Sequence, residues 1–247
     1  MSVSTSKEPA KISGMFDLIA RRYDTLNHLL SAGMDKRWRR RAIRELHLAG
    51  SERVLDVCTG TGDFAIEAMT SKYGRARDVV GVDFSAEMLH YAKPKIAAPA
   101  LASRIHLARG DAMRLPLPDA SIDAVTIGFG IRNVAEPVTA LRDFHRVLRP
   151  GGSLAILEFG FPWIPGIKQA YRAYFKHVLP LVGRAISRHN DAYSYLPASV
   201  AEFPNNEAFV KLVRQAGFST VRAVPLTTGI VYLYVARKSE NHPPRTV

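Results

Sequence analysis

The stretch RVLDVCTGTGDFAIE, Arg53 to Glu67, carries an apolar run that ends in an acid, Asp56, and passes through Gly60 and Gly62 into helix-forming residues. It reads as a strand, a tight turn and a helix. A side chain at either glycine would hold a ligand away from the backbone amides at the helix N-terminus, so the turn is suited to a nucleotide-like cofactor. Gly60 to Ala65 also fits G-x-G-x-x-G/A, the dinucleotide fingerprint, which alone is a weak signal. Asp56, at the end of the strand, suits a cationic amino-acid ligand better than a pyrophosphate. S-adenosylmethionine carries such an ammonium.

Outward from this turn, strands alternate with helices. The periodicities predict strand 53–58, a helix to about Ser71, strand 78–83, helix 86–98, strands 104–109 and 122–128, helix 136–148 and strand 153–158. That alternation means an α/β fold, a doubly wound Rossmann-like sheet that is mostly parallel. Arg149-Pro150-Gly151-Gly152 reads as a helix stop and turn. A helix 206–216 and two strands, 218–224 and 229–237, follow, and place a last antiparallel strand in a seven-stranded sheet. One domain is expected over residues 13–238, with an N-terminal helical cap at 13–50, a helical insert at 160–201 and flexible tails at 1–12 and 239–247.

The 247 residues carry 34 Lys and Arg against 22 Asp and Glu, a formal charge of +12 that attracts polyanions or anionic lipid. A single cysteine, Cys58, excludes an internal disulfide and any cysteine-based zinc cluster, and no metal is expected. No signal peptide or membrane span is read; the longest charge-free stretch, Ala223 to Ala236, is too short to cross a bilayer. A cytoplasmic protein is expected.

Ligands of open α/β sheets sit at the carboxyl ends of the strands. The residues there are Asp56, Asp83, Asp111 with Ala112, and Gly128 to Asn133. Asp83 can take the two hydroxyls of a ribose, and Asp111 can accept from an adenine amino group while apolar neighbours pack the ring. NAD enzymes place an acid much as Asp83 is placed, so this residue does not discriminate between cofactors.

The order Asp56-x-x-x-Gly60-x-Gly62, Asp83, Gly110-Asp111-Ala112 and Arg146 to Gly152 resembles the seven-stranded S-adenosylmethionine-dependent methyltransferases. Tyr23-Asp-Thr-Leu-Asn27 continuing to Ser31 and Trp38, Phe129-Gly-Ile-Arg-Asn-Val134, Tyr193-Ser-Tyr-Leu-Pro197 and Phe203-Pro204 narrow the likeness. These are similar to the quinone-biosynthesis C-methyltransferases, the demethylmenaquinone and polyprenyl-methoxybenzoquinol methylases, from Phe16 to Lys238. The departures are Leu26 for Met, Asp35 for His, Arg149 for Lys, Gly160 for Ser, Gly128 where a serine often contacts the cofactor, and Cys58 for the first glycine of the general signature.

The resemblance implies S-adenosylmethionine as cofactor, contacted by Thr61, Asp83, Asp111 and Ala112, and a polyprenylated quinol at Arg132 and Asn133; Asp56, Gly60, Gly62 and Gly128, at the turn and strand ends, are further cofactor candidates. Methylating a ring carbon requires a hydroxyl to lose its proton, and a phenol's pKa is about 10. Arg132 suits stabilisation of the phenolate. It is not the base, because a neutral guanidinium at pH 7 costs about 7 kcal/mol or more. Tyr23 and Asp24 are the proton-relay candidates.

A long isoprenoid tail would bring the protein to the inner face of the cell membrane as a peripheral partner. Trp163, Ile167, Tyr171, Tyr174, Phe175 and Val178 form an apolar stripe beside Lys168, Arg172 and Lys176; Arg37, Arg40, Arg41 and Arg44 form a second basic ridge. Each can lie on an anionic lipid surface or serve the bland role of a lid or solvated helix face. Nucleic acid is not expected as a partner, because the fourth strand ends in GFGIRN and lacks the Asn/Asp-Pro-Pro-aromatic clamp for exocyclic amines. A non-catalytic scaffold is the third reading, which the intact Arg132 and Asn133 oppose. A homo-oligomer is compatible with the sequence.

Overall fold

The structure is a computed structural model and describes residues 9–174, 191–204 and 206–240. Seven strands form one sheet in the order β3-β2-β1-β4-β5-β7-β6. They are β1 Arg53–Val57, β2 Asp78–Asp83, β3 Ile105–Arg109, β4 Ile122–Gly128, β5 Leu148–Phe159, β6 Thr220–Leu226 and β7 Val231–Arg237. The first five run parallel, and β7 is antiparallel to both β5 and β6. The doubly wound, mostly parallel sheet expected from the alternation is therefore present, with its antiparallel strand second from the edge.

The helices are α1 Pro9–Leu30, α2 Met34–Leu46, α3 Asp63–Thr70, α4 Ala86–Lys95, α5 Pro99–Ala102, α6 Pro137–Val147, α7 Pro165–Ala173, α8 Asp191–Glu202 and α9 Glu207–Gln215. The first begins at Pro9, inside the stretch 1–12 expected to be a loose tail. Proline is tolerated there because the first-turn amide would have no intrahelical partner. The Arg149–Gly152 turn also differs from expectation. It lies within β5 as an irregularity, with Ile122 paired to Leu148 and Ala124 to Ser153, while Gly151 adopts φ +77°.

Strand periodicity divides the core into two layers. Leu55 and Val57 of β1 face the layer that holds Leu141, Phe144, Phe209 and Tyr234. Val54 faces the other, with Trp38, Ile43, Phe64 and Ala65. Two apolar layers of buried residues on a parallel sheet are what makes its central strands near-continuous apolar runs. Among the described residues, no helix is long and apolar enough to cross a membrane.

Candidate active site

An open cleft lies at the carboxyl ends of β1, β2, β3 and β4, where ligands of open α/β sheets bind. One wall carries Asp83, Phe84, Ser85 and Met88, a second Asp111, Ala112 and Met113, and a third Gly128, Phe129, Gly130 and Asn133. Ile12 and Phe16 of α1 close it from above the sheet edge. The lining includes Gly60, as the glycine turn requires.

The turn after β1 is held by Asp83 before any ligand is considered. The Gly60 amide donates to Asp83 Oδ2 at 2.7 Å and the Ser85 amide to Oδ1 at 2.9 Å. Gly62 then caps α3 with φ +85°, a conformation that costs glycine little. Across the cleft, Cys58 and Phe129 both sit at positive φ, 51° and 59°. Gly130 is needed between them, since a Cβ there would lie 2.5 Å from Cys58 Cβ. Strained backbone of this kind persists where the surroundings over-determine it, and it clusters at ligand sites.

The electrostatics of the cleft are anionic, although the chain is strongly basic. Asp83 has its pKa raised, first by burial, against the amide donations of Ser85 and Gly60. The Cys58 thiol is pushed up by burial and then by the carboxylates of Asp83, Asp56, Glu158 and Asp111. None of the described lining residues is a Lys, Arg or His. Two carboxylates with no cationic side chain among the described lining residues favour a ligand with positive charge and sugar hydroxyls over a pyrophosphate. Apolar Phe84, Met88, Ala112 and Met113 beside Asp83 and Asp111 supply a surface for an aromatic base. The residues present thus fit S-adenosylmethionine.

Several expected contacts stand behind the cleft instead of in it. Asp56 shares the face of Val54 by strand alternation and is 1% exposed. Its oxygens accept from Thr59 Oγ1 at 2.6 Å and Thr126 Oγ1 at 2.7 Å, Thr126 being its register partner on β4. Burial, opposed by these two hydroxyls and reinforced by Asp83, pushes its pKa up to about 6. It does not line the cleft, so its influence on a cation is through space. Thr61 and Gly62 are likewise outside the lining, and Thr61 Oγ1 donates to Asp24.

The carboxylate of Asp24, a relay candidate, accepts from Thr61 and from Lys95 Nζ at 2.9 Å. Lys95 also pairs with Asp63, joining α1, α4 and the start of α3. The side chain of Tyr23 lies outside the described set. Asp35, the departure from the family's histidine, is a structural hub that accepts from Ser31 and Arg39 and lies 2.8 Å from His28 Nδ1, while Arg39 also reaches Asp63. Arg39 already occupies the space between Asp35 and Asp63, so this group of acids does not present a metal site.

Arg132 is also placed differently from expectation. It is 6% exposed and absent from the lining. Its guanidinium pairs with fully buried Glu158 at 2.8 Å, donates to the Phe129 carbonyl and lies over the Phe159 ring at 5.4 Å. Asn133, its neighbour, does line the cleft. Sequence reasoning missed Glu158, although it is an acid at a strand end like Asp56 and Asp83. It missed Phe16 and Ile12 because no local signal states where a helix will lie.

The described part of the insert has a buried and an exposed portion. Tyr171 is 8% exposed and meets the Phe161 ring edge-on at 6.4 Å, as a lid residue would. Trp163 and Ile164, at the start of α7, are 57% and 39% exposed. Phe175, Lys176 and Val178 and the side chain of Arg172 lie outside the described residues. On α2, Arg41 pairs with Glu45 at 2.7 Å and Arg40 with Glu67 at 3.5 Å, so part of that basic ridge is neutralised by the protein itself.

Known proteins share this fold. A Thermotoga maritima SAM-dependent methyltransferase aligns over 92% of this chain and all of its own, with TM-score 0.60 and 20% identity. The [4+2]-cyclase SpnF matches over 93% of this chain and 96% of its own, with the same TM-score at 18% identity, so the fold alone does not select the chemistry. Sequence relatives are nearer. The ubiquinone/menaquinone biosynthesis C-methyltransferase UbiE of Geobacter sp. (strain M21) is 46% identical over 94% of this chain and 98% of its own. The demethylmenaquinone methyltransferase of Deinococcus radiodurans is 46% identical over 92% of each chain. The profile of the ubiE/COQ5 methyltransferase family matches residues 3–238. With a seven-stranded sheet, an anionic cofactor cleft and these relatives, the chain belongs to the ubiE/COQ5 family of S-adenosylmethionine-dependent C-methyltransferases.

Proposed function

We propose that this protein transfers a methyl group from S-adenosylmethionine to a ring carbon of a polyprenylated hydroquinol, with demethylmenaquinol as the preferred substrate and a 2-methoxy-6-polyprenyl-1,4-benzoquinol as the alternative. The observation that carries the reading is the cleft itself, whose described lining holds Asp83, Asp111 and Asn133 and no cationic side chain. The names of the relatives support the quinol class.

When bound, S-adenosylmethionine supplies an electrophilic methyl group. Asp83 accepts from the ribose hydroxyls, and Asp111 with Ala112 and Met113 holds the adenine. Gly60 and Gly128 leave room for the cofactor. Ile12 and Phe16 exclude water above it, which strengthens the electrostatic interactions beneath. Asn133 faces the quinol, and Arg132 acts from behind by fixing the Phe129–Asn133 turn. Aligning a ring carbon with the methyl group in this way can supply roughly 7 to 11 kcal/mol of the barrier. A competition assay with equal concentrations of the two reduced rings tests the preference. At least about 10-fold higher kcat/KM is expected for the naphthoquinol, a difference of about 1.4 kcal/mol. A reversed ratio would make the benzoquinol the substrate.

The burial of Asp56 gives a pH dependence. Its folded pKa is raised to about 6, so the carboxylate is neutral below that value and ionises as pH rises through it. A cationic ligand favours the ionised form, and therefore S-adenosylmethionine affinity is expected to rise by several-fold from pH 5 to pH 7 and to level off above. Calorimetric titration at fixed ionic strength would measure it. A flat profile over that range would remove Asp56 from the account.

Delivery of a bilayer-borne substrate calls for contact with the inner membrane face. Exposed Trp163 and Ile164 beside Lys168 supply an apolar tip with a basic flank. The protein is expected to float with anionic vesicles at low ionic strength and to be released by salt, because screening shortens the reach of its charges. Trp163→Ala with Lys168→Glu should abolish flotation. Unchanged flotation would assign α7 to closing the site alone.

A further inference from the structure

Asn133 is held in one orientation by a residue of the insert. Its Nδ2 donates to the Phe129 carbonyl at 3.4 Å, and its Oδ1 accepts from Tyr195 Oη at 3.1 Å. The assignment of the amide follows from the partners. A carbonyl can only accept, so the NH2 must face Phe129, and Oδ1 is left to a donor. A tyrosine supplies that donor only as the neutral phenol. Tyr195 is 7% exposed, and burial raises its pKa above the ordinary tyrosine value, against the attraction of Arg132. The hydroxyl therefore stays protonated across the working range.

The bond links parts of the chain that nothing local would join. Tyr195 lies on α8, and α8 rests on the short helix Ile131–Asn133 and on α1, which also lines the cleft through Ile12 and Phe16. Asn133 is thus clamped between its own turn and the insert. Without the hydroxyl, the amide could rotate, exchanging donor for acceptor at the wall of the cleft while the backbone remained in place.

We infer that Tyr195 is a positioning residue for methyl transfer, which acts through Asn133 by fixing which end of its amide the quinol ring meets. This rests on the reading of Asn133 as the residue facing the substrate, and the test separates the two. Tyr195→Phe keeps the ring and removes only the hydroxyl, so the fold should survive, with a thermal midpoint within a few degrees of the parent. Its kcat is expected to fall about 10-fold, in the range of one lost hydrogen bond, with S-adenosylmethionine affinity within about 2-fold. In an Asn133→Ala background, which should itself be slow, the same change should cost less than about 2-fold, because residues that act as one unit are not additive.

Unchanged kcat in Tyr195→Phe, with Asn133→Ala impaired, would overturn the role of Tyr195 and leave the reading of Asn133 standing. Normal turnover in Asn133→Ala would overturn both. A full 10-fold loss that recurs in the Asn133→Ala background, or a loss of cofactor affinity in place of kcat, would show that Tyr195 does not act through Asn133.

Discussion

Arg132→Ala is expected to lower the stability of the protein by about 3 to 5 kcal/mol, the cost of leaving a buried charge without its partner. Glu158 is fully buried, and its Oε1 accepts from Arg132 and from the Phe159 amide while Oε2 faces the Arg132 amide. Removal of the guanidinium leaves the carboxylate with two backbone donors and no counter-charge. For a chain of this size the loss corresponds to a fall in thermal midpoint of roughly 6 to 20 °C. Turnover should also drop by at least about 100-fold, since the turn that presents Asn133 loses the Arg132 bond to Phe129. Arg132→Met combined with Glu158→Gln separates the effects. Stability should return to within about 1 to 2 kcal/mol of the parent, because replacing both charges together avoids the uncompensated ion. A stable Arg132→Ala single variant would contradict the pairing described here.

Asp83→Ala is expected to weaken S-adenosylmethionine binding by about 1.5 to 3 kcal/mol, or roughly 10- to 150-fold, through loss of charge-assisted hydrogen bonds to the ribose. The same carboxylate accepts the Gly60 and Ser85 amides, so the glycine turn loosens as well. Titration calorimetry of the parent and variant gives the ratio, and NAD serves as the control. With no cationic side chain among the described lining residues and Asp83 and Asp111 facing the cleft, NAD should not bind measurably. Equal affinity in the variant would mean that Asp83 only braces the turn.

The strand-end acids made the site legible in the sequence, because a parallel sheet gathers those ends along one edge. The step that fails from spacing alone is the direction of each side chain. Alternation within β1 places Asp56 with Val54, on the face covered by Trp38 and Phe64, and its register partner is Thr126. That relation needs the strand order and register, which a single chain does not state. Glu158 follows the same rule as Asp56 and Asp83, yet its meaning emerges only beside Arg132, 26 residues away in sequence. Tyr195 and Asn133 are separated by 62 residues, and no periodicity links them. Phe16 reads as part of an apolar helix face and Ile12 falls in the stretch expected to be a tail, while their place over the cleft depends on how α1 crosses α4. The Arg149–Gly152 stop was legible, and its absorption into β5 follows from pairing with β4 on one side and from the Gly151 amide meeting Lys238 on the other.

The central claim, methyl transfer to a quinol ring carbon, is tested most directly by incubating the protein with methyl-labelled S-adenosylmethionine and a short-tailed demethylated naphthoquinol kept reduced, then locating the label by mass spectrometry and NMR. One labelled methyl group per ring, bonded to carbon and absent when the quinone is left oxidised, is the predicted result. Tight S-adenosylmethionine binding with no label on either quinol ring, or label on the hydroxyl oxygen, would contradict it.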